Sequence, residues 1–478
     1  MNQITPEDGT IRNIRRLIWL YFWLLLVEGA LRKWALPQLS NPLLIVRDPV
    51  VLLMYALAFR ARVFPKNGWV IALAIVGFLS LALTFVTLSP YLSPLRMAMV
   101  GGFGFRSNFL HLPLIFLMPR VLRAEDVKRF GWWTLILLVP MALIMVGQFR
   151  SAPDSFLNRT AGGEGEMMTS ALGKVRTAGT FSFVVGVAAF FAMSTAFLLW
   201  GALRGVYKHW VLFAAGSATV IGIAVSGSRT VVGACALVIA SLAIVLLVRP
   251  AAVNRFGHVL IVTLVLGFIV TRTPIFKEGF NVLSTRFAEA AEATDKSVGA
   301  GLIERVYGGF EEGLYVMTKA PFLGYGLGIG TNAGAKFLTG RSMFLLSEGE
   351  WSRVFLESGP VLGLAYVLCR CGIAVMIGLA AVRAVSAGNL LPLFLCSATF
   401  LPLVNGQFGQ PTVLGFAVFI SGMALAARNE EELTPVASSP PSGPPIRRPR
   451  PVASRSAYAA RLHEAAAPRE HTNGSVDR

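Results

Sequence analysis

Apolar runs of the length a helix needs to cross a bilayer recur along this chain, separated by polar connections. They fall near residues 15 to 35, 42 to 60, 68 to 88, 97 to 118, 131 to 149, 180 to 201, 209 to 226, 230 to 248, 257 to 272, 353 to 381, 389 to 404 and 411 to 427. The pattern predicts an all-α polytopic membrane protein with about twelve transmembrane helices. The eleventh run is the weakest, being short and carrying Pro392 and Pro402. Two connections are long, 150–179 and 273–352. A loop of about 80 residues between spans is usually functional. In the second, Ile303, Val306, Phe310, Leu314 and Met317 recur at helical spacing, with Glu304, Glu311, Glu312 and Lys319 between them. That spacing predicts an amphipathic helix on the membrane surface, stopped by Pro321, with a second one over 282–293.

Composition narrows the class. Of 478 residues 55% are hydrophobic and 14% charged, which leaves no stretch with the polar surface of a soluble domain. From Arg428 the chain turns to Pro, Ser, Ala and Arg, so 428–478 is expected to be a disordered tail behind a membrane domain of 1–427. The first run ends without a small-x-small cleavage pattern and reads as a retained span. Cys235, Cys369, Cys371 and Cys396 all lie within spans, so neither a disulfide nor a metal site is expected.

The formal charge of +18 resides mostly in short connections, without the aromatic interleaving of a nucleic-acid binder. Arg12, Arg15 and Arg16, then Arg60, Arg62 and Lys66, then Arg120, Arg123, Lys128 and Arg129, then Arg204 and Lys208, then Arg249 and Arg255, then Arg383, fall on alternate connections. The positive-inside rule makes that side cytoplasmic, with both termini inside and the two long loops outside. The first outer turn, carrying Arg32, Lys33 and Arg47, breaks the pattern.

Several charges at membrane depth need partners or a purpose. Glu28 and Arg32 are spaced for a helical ion pair, and Arg47-Asp48 reads as a local anchor. Arg106, in "GFGFRSNFL", faces either a polar cavity or a partner. The topology delivers Arg176, Arg229 and Arg305 to the outer face, where three guanidiniums at span mouths suit an anion such as phosphate. In "SEGEWSRVFLESG", residues 347–359, a helix would put Glu350, Arg353 and Glu357 on one face where the next span begins. In "PFLGYGLGIGTN", residues 321–332, glycine takes every second position from 324 to 330. No strand precedes it, so it serves either close backbone approach to a ligand around Tyr325 and Gly326, or a flexible turn.

The arginine before "TAGTF", the turn "SGSR", "ERV" followed by "PFLGYGLGIGTN", and "FLESGPVLGL" ahead of a late span together resemble the O-antigen ligase and polymerase superfamily of bacterial envelope glycan assembly. The likeness is best over about 170–370. It implies a metal-independent, cofactor-free, inverting glycosyltransferase of the bacterial inner membrane. Such an enzyme moves glycan from undecaprenyl diphosphate to an acceptor hydroxyl on a glycan or lipid, alongside the flippase and chain-length regulator of its pathway. The resemblance sets Arg176, Arg229 and Arg305 where the family's phosphate-contacting arginines lie. Glu348 or Glu350 would take the acceptor proton, with Arg106, Arg353, Tyr325 and Gly326 as further substrate contacts. The ligase branch carries a histidine in the large loop near the re-entry point; here that region reads Ser347-Glu348-Gly349-Glu350. A polymerase of exopolysaccharide or O-antigen is therefore expected ahead of a ligase, and a polysaccharide or lipid transporter is the rival from another class.

Overall fold

The computed structural model describes residues 6–162, 169, 171–248, 271–294, 298–341 and 343–428. The span expected at 257 to 272 lies almost wholly outside the described residues, and so does the tail beyond Arg428. Among the described residues the protein is helical, with a single isolated β-bridge between Thr169 and Val175. The helices are α1 (Pro6–Ala30), α2 (Arg47–Arg60), α3 (Gly68–Leu88), α4 (Pro94–Phe105), α5 (Leu114–Val121), α6 (Ala124–Arg150), α7 (Val184–Arg204) and α8 (His209–Val225). They continue as α9 (Arg229–Val248), α10 (Pro274–Thr294), α11 (Val298–Lys319), α12 (Asn332–Thr339), α13 (Glu350–Ser386), α14 (Leu391–Asn405) and α15 (Pro411–Ala426).

Six described helical stretches are long and apolar enough to cross a membrane: 37–60, α3, α6, α7, α9 and α13. Shorter apolar helices α8, α14 and α15 pack among them. The outward face of α3 carries Ile71, Ile75, Phe78 and Leu79, each more than half exposed. Hydrocarbon tolerates such a face and water does not, and the chain is a helical membrane protein. Its interior is locked by aromatic contact: Trp19 of α1 stacks on Phe130 of α6 at 3.7 Å between ring centroids, and Phe419 of α15 meets Phe130 at 5.3 Å.

Two expected spans are interrupted. The run 97 to 118 is helical only to Phe105, passes through a π-helical turn at Arg106–Leu110, and resumes at Leu114 behind Pro113. A π turn widens the ladder and turns side chains that a regular helix would point elsewhere. The second break is in α13, at Gly359 (φ 74°) followed by Pro360, so a nine-residue head, 350–358, precedes the long apolar shaft. The run 42 to 60 begins as short turns and becomes α2 only at Arg47.

The glycine-rich segment threads between these breaks. Gly324, Gly326 and Gly328 occupy the left-handed region, with φ of 72°, 114° and 93°. The Tyr325 amide donates to the Leu356 carbonyl (2.7 Å), Gly326 to that of Glu357 (3.0 Å), and Leu327 to the Thr84 hydroxyl (2.8 Å). A Cβ on Gly328 would collide with the Val100 carbonyl, and one on Gly359 with that of Phe322. The close approach this alternation permits is to the protein's own helices. Both amphipathic patterns form helices, α10 and α11, and α11 ends before Pro321; α11 packs on α13 through Phe310 and Trp351, ring centroids 4.5 Å apart.

Candidate functional site

Helix α13 buries four charges against one another, three of them on its head. Arg353 donates from Nη1 to Glu357 (2.6 Å), from Nε and Nη2 to Glu350 (3.1 and 3.0 Å), and from Nη2 to the Asn108 side chain (3.0 Å). Arg370, on the shaft of the same helix, reaches Glu350 at 2.7 Å and donates to the Leu403 and Gly406 carbonyls, each at 2.9 Å. Its guanidinium also lies 3.7 Å from the centroid of the Phe408 ring. Two carboxylates and two guanidiniums thus cancel, as burial in an apolar bundle demands. The backbone supplies what charge leaves over: Gly330 donates its amide to Glu357 (2.9 Å) and Phe408 donates its own to Glu350 (3.3 Å). Helical spacing put Glu350, Arg353 and Glu357 on one face. Arg370 completes the group from five turns further on.

Above this quartet opens a narrow crevice lined by Asn332, Phe344, Glu348, Arg353, Gln407 and Gln410, among others, of about 10 Å³, room for one water-sized group. Each wall is fixed locally. Thr331 caps α12 by accepting from the Gly334 amide (3.0 Å), which sets Asn332 at the first helical position. Gln407 donates to the Glu348 carbonyl (2.7 Å) and accepts from Gln410, tying the α14–α15 turn to the approach to α13. Glu348 itself is exposed, and Asn332 Oδ1 is buried with no hydrogen-bond partner.

A second buried network lies beside the first. Asp48 accepts from Arg106 Nε (2.8 Å) and meets His111 Nε2 (2.9 Å), and His111 Nδ1 meets the Tyr21 hydroxyl (3.0 Å). Arg106 therefore has a charged partner at depth. The π turn presents Arg106 to this network and Asn108 to the α13 head, and Tyr366 further donates to the Asn108 carbonyl (3.0 Å). Glu28 pairs with Arg32, as its spacing predicts, and also with Arg47, both at 3.3 Å. Arg47 and Asp48, adjacent in sequence, look to different helices instead of to each other. Lys33 donates to the Gly179 and Phe181 carbonyls (2.6 and 3.0 Å). The basic first turn is thus held within the protein by Lys33 and Arg47.

Arg176 and Arg229 are both half-buried, and their segments are neighbours, since Thr177 donates its hydroxyl to the Val225 carbonyl (3.2 Å) just before the "SGSR" turn. Gly279 of α10 backs onto Ala224 and Val225 at the same place, and Lys174 pairs with Glu278 at 2.6 Å. Arg305 sits on α11, and its side chain lies outside the described ones. Tyr325 is half exposed, and Gly326 is buried against Leu88. Sequence reasoning passed over Arg370, Asn108, Asn332, Gln407 and Gln410; a lone arginine inside the apolar run of α13 was the signal for the first. No family model matches the chain, and no curated protein matches its sequence.

Proposed function

We propose that this chain is a polymerase-type glycosyltransferase that joins undecaprenyl-diphosphate-linked repeat units at the outer face of a bacterial inner membrane. In this reading the chain crosses about twelve times with both termini inside. The α10–α12 region and the crevice then face outward. One observation carries the proposal: a crevice wide enough for one hydroxyl, with an exposed carboxylate at its rim, opens beside a buried ion-pair quartet.

The chemistry is a single displacement. The acceptor oxygen bonds to the anomeric carbon while the bond from that carbon to the diphosphate oxygen breaks; its electron pair leaves on the diphosphate, and the acceptor proton passes to a carboxylate. Glu350 is engaged by two guanidiniums and a backbone amide, so Glu348 takes the proton. Arg353 is engaged as fully and serves by shaping the crevice floor. The charge that develops on the diphosphate falls to Arg176, Arg229 and Arg305. Arg229→Ala and Arg176→Ala should each cut transfer by about 100- to 1,000-fold. A gel of the cells' polysaccharide then shows single units in place of long chains, whereas loss of a ligase would leave full-length polymer on its carrier. An unchanged chain-length distribution, with the protein still in the membrane, refutes the assignment.

Transport is a second reading, favoured by one observation: two interrupted helices, 94–121 and α13, meet through the Arg353–Asn108 and Tyr366–Asn108 hydrogen bonds, and broken helices facing one another form the sites of many transporters. Uptake of lipid-linked or free oligosaccharide into vesicles holding the purified protein would support it, and transferase activity without uptake would remove it.

A further inference from the structure

We infer that the crevice beside Glu348 is an acceptor subsite for one uncharged sugar, which inserts a single hydroxyl between Glu348, Asn332 and the two glutamine amides and rests its ring on Phe344. The inference deepens the transferase reading by naming the chemical class that reaches this site, and it takes its case from size, charge and hydrogen bonding.

Size comes first. A crevice of about 10 Å³ offers room for a small group such as a hydroxyl. Charge points the same way. Glu350 and Arg353, the other ionisable side chains of the wall, are neutralised within the quartet, which leaves Glu348 to give the crevice a negative edge. A diphosphate or a uronate would meet repulsion there, and a neutral ring would not. Hydrogen bonding selects within the neutral class. Asn332 Oδ1 is a buried acceptor without a donor, Gln407 and Gln410 bring amides, and Glu348 accepts only. A hydroxyl can donate to the first and accept from the second, whereas an ether, an acyl chain or a thioether cannot do both. Phe344, 43% exposed at the rim, offers an apolar face of the kind on which the C–H side of a pyranose packs.

The test uses the full-length protein in lipid nanodiscs and saturation-transfer NMR with glucose, galactose, mannose, N-acetylglucosamine and glucuronate, each titrated at pH 7. At least one neutral sugar should bind with a millimolar Kd, and glucuronate at least tenfold more weakly. Phe344→Ala and Gln410→Ala should each raise the neutral sugar's Kd at least fivefold. Glu348→Gln should narrow the gap between neutral sugar and glucuronate. The inference is overturned if no neutral sugar binds, if glucuronate binds as well as the best of them, or if Phe344→Ala and Gln410→Ala leave binding unchanged. Polymer synthesis by those two variants with an unaltered acceptor KM also overturns it, and leaves the transferase reading standing. Sugar binding of the expected pattern in a protein that transfers nothing from a lipid-linked donor supports the subsite and refutes the transferase reading.

Discussion

Replacing Arg370 with methionine should be among the most damaging single changes in this protein, and the damage should be largely reversible by a second change. The side chain is 1% exposed, holds Glu350 at 2.7 Å and satisfies the Leu403 and Gly406 carbonyls at 2.9 Å each. Removing one partner of a buried pair leaves the other charge uncompensated and costs about 3–5 kcal/mol. A stranded buried carbonyl costs about 1–3 kcal/mol when nothing replaces its donor, though these figures overlap and do not simply add. Glu350→Gln alone should lose a similar amount, because it leaves Arg370 without a carboxylate and Arg353 with Glu357 only. In the double variant the surplus charges vanish together, so it should recover at least about 2 kcal/mol relative to the sum of the singles. Unfolding of the four proteins in mixed micelles, titrated with a denaturing detergent and followed by circular dichroism, measures this cycle. Losses in the double variant that add to within about 0.5 kcal/mol of the singles would refute the claim that these side chains act as one buried unit.

Further outcomes follow from the same geometry. Gly359→Ala places a Cβ against the Phe322 carbonyl at φ 74° and should destabilise by more than about 2 kcal/mol, whereas Gly233→Ala, in open space on α9, should be neutral or gain up to about 1 kcal/mol; the same unfolding titration compares them. Asp48→Asn removes the carboxylate that both Arg106 and His111 face and should cost about 3–5 kcal/mol, with Arg106→Leu recovering part of the loss when the two are combined. Lys33→Met strands the Phe181 carbonyl and leaves that of Gly179 to Gln148 alone, so trypsin should cut at Lys174 and Arg176 several-fold faster than in the parent protein, and equal rates would contradict the anchoring role.

Legibility followed the range of the interaction. Helices such as α3, α7 and α9 could be read from the chain because an apolar run in lipid has few choices but to be helical. The Glu28–Arg32 pair and the shared face of Glu350, Arg353 and Glu357 were visible too, since one helical turn fixes them. What periodicity could not carry was anything that depends on a break or on a partner far along the chain. The π turn at 106–110 looks like continuous span in sequence, yet it is why Arg106 and Asn108 serve two networks. Asp48, His111 and Tyr21 come from three separate runs, so their meeting has no local signature. Arg370 was legible in principle, as the one charge in the middle of an apolar shaft whose other cation, Arg383, lies in its last turn; the two cysteines flanking it drew attention to themselves instead.

The break at Gly359 bears on how this protein is made. The shaft from Pro360 onward is about 40 Å long and can enter the bilayer alone as it leaves the insertion machinery. The nine-residue head cannot, because Glu350 would meet hydrocarbon before Arg370 and the turn after α14 are there to receive it, and Arg353 and Glu357 need Asn108 and Gly330 packed against them. Biogenesis should therefore run in two stages, with the shaft threaded early and the head folded down as a closing latch once α14 and α15 have been synthesised.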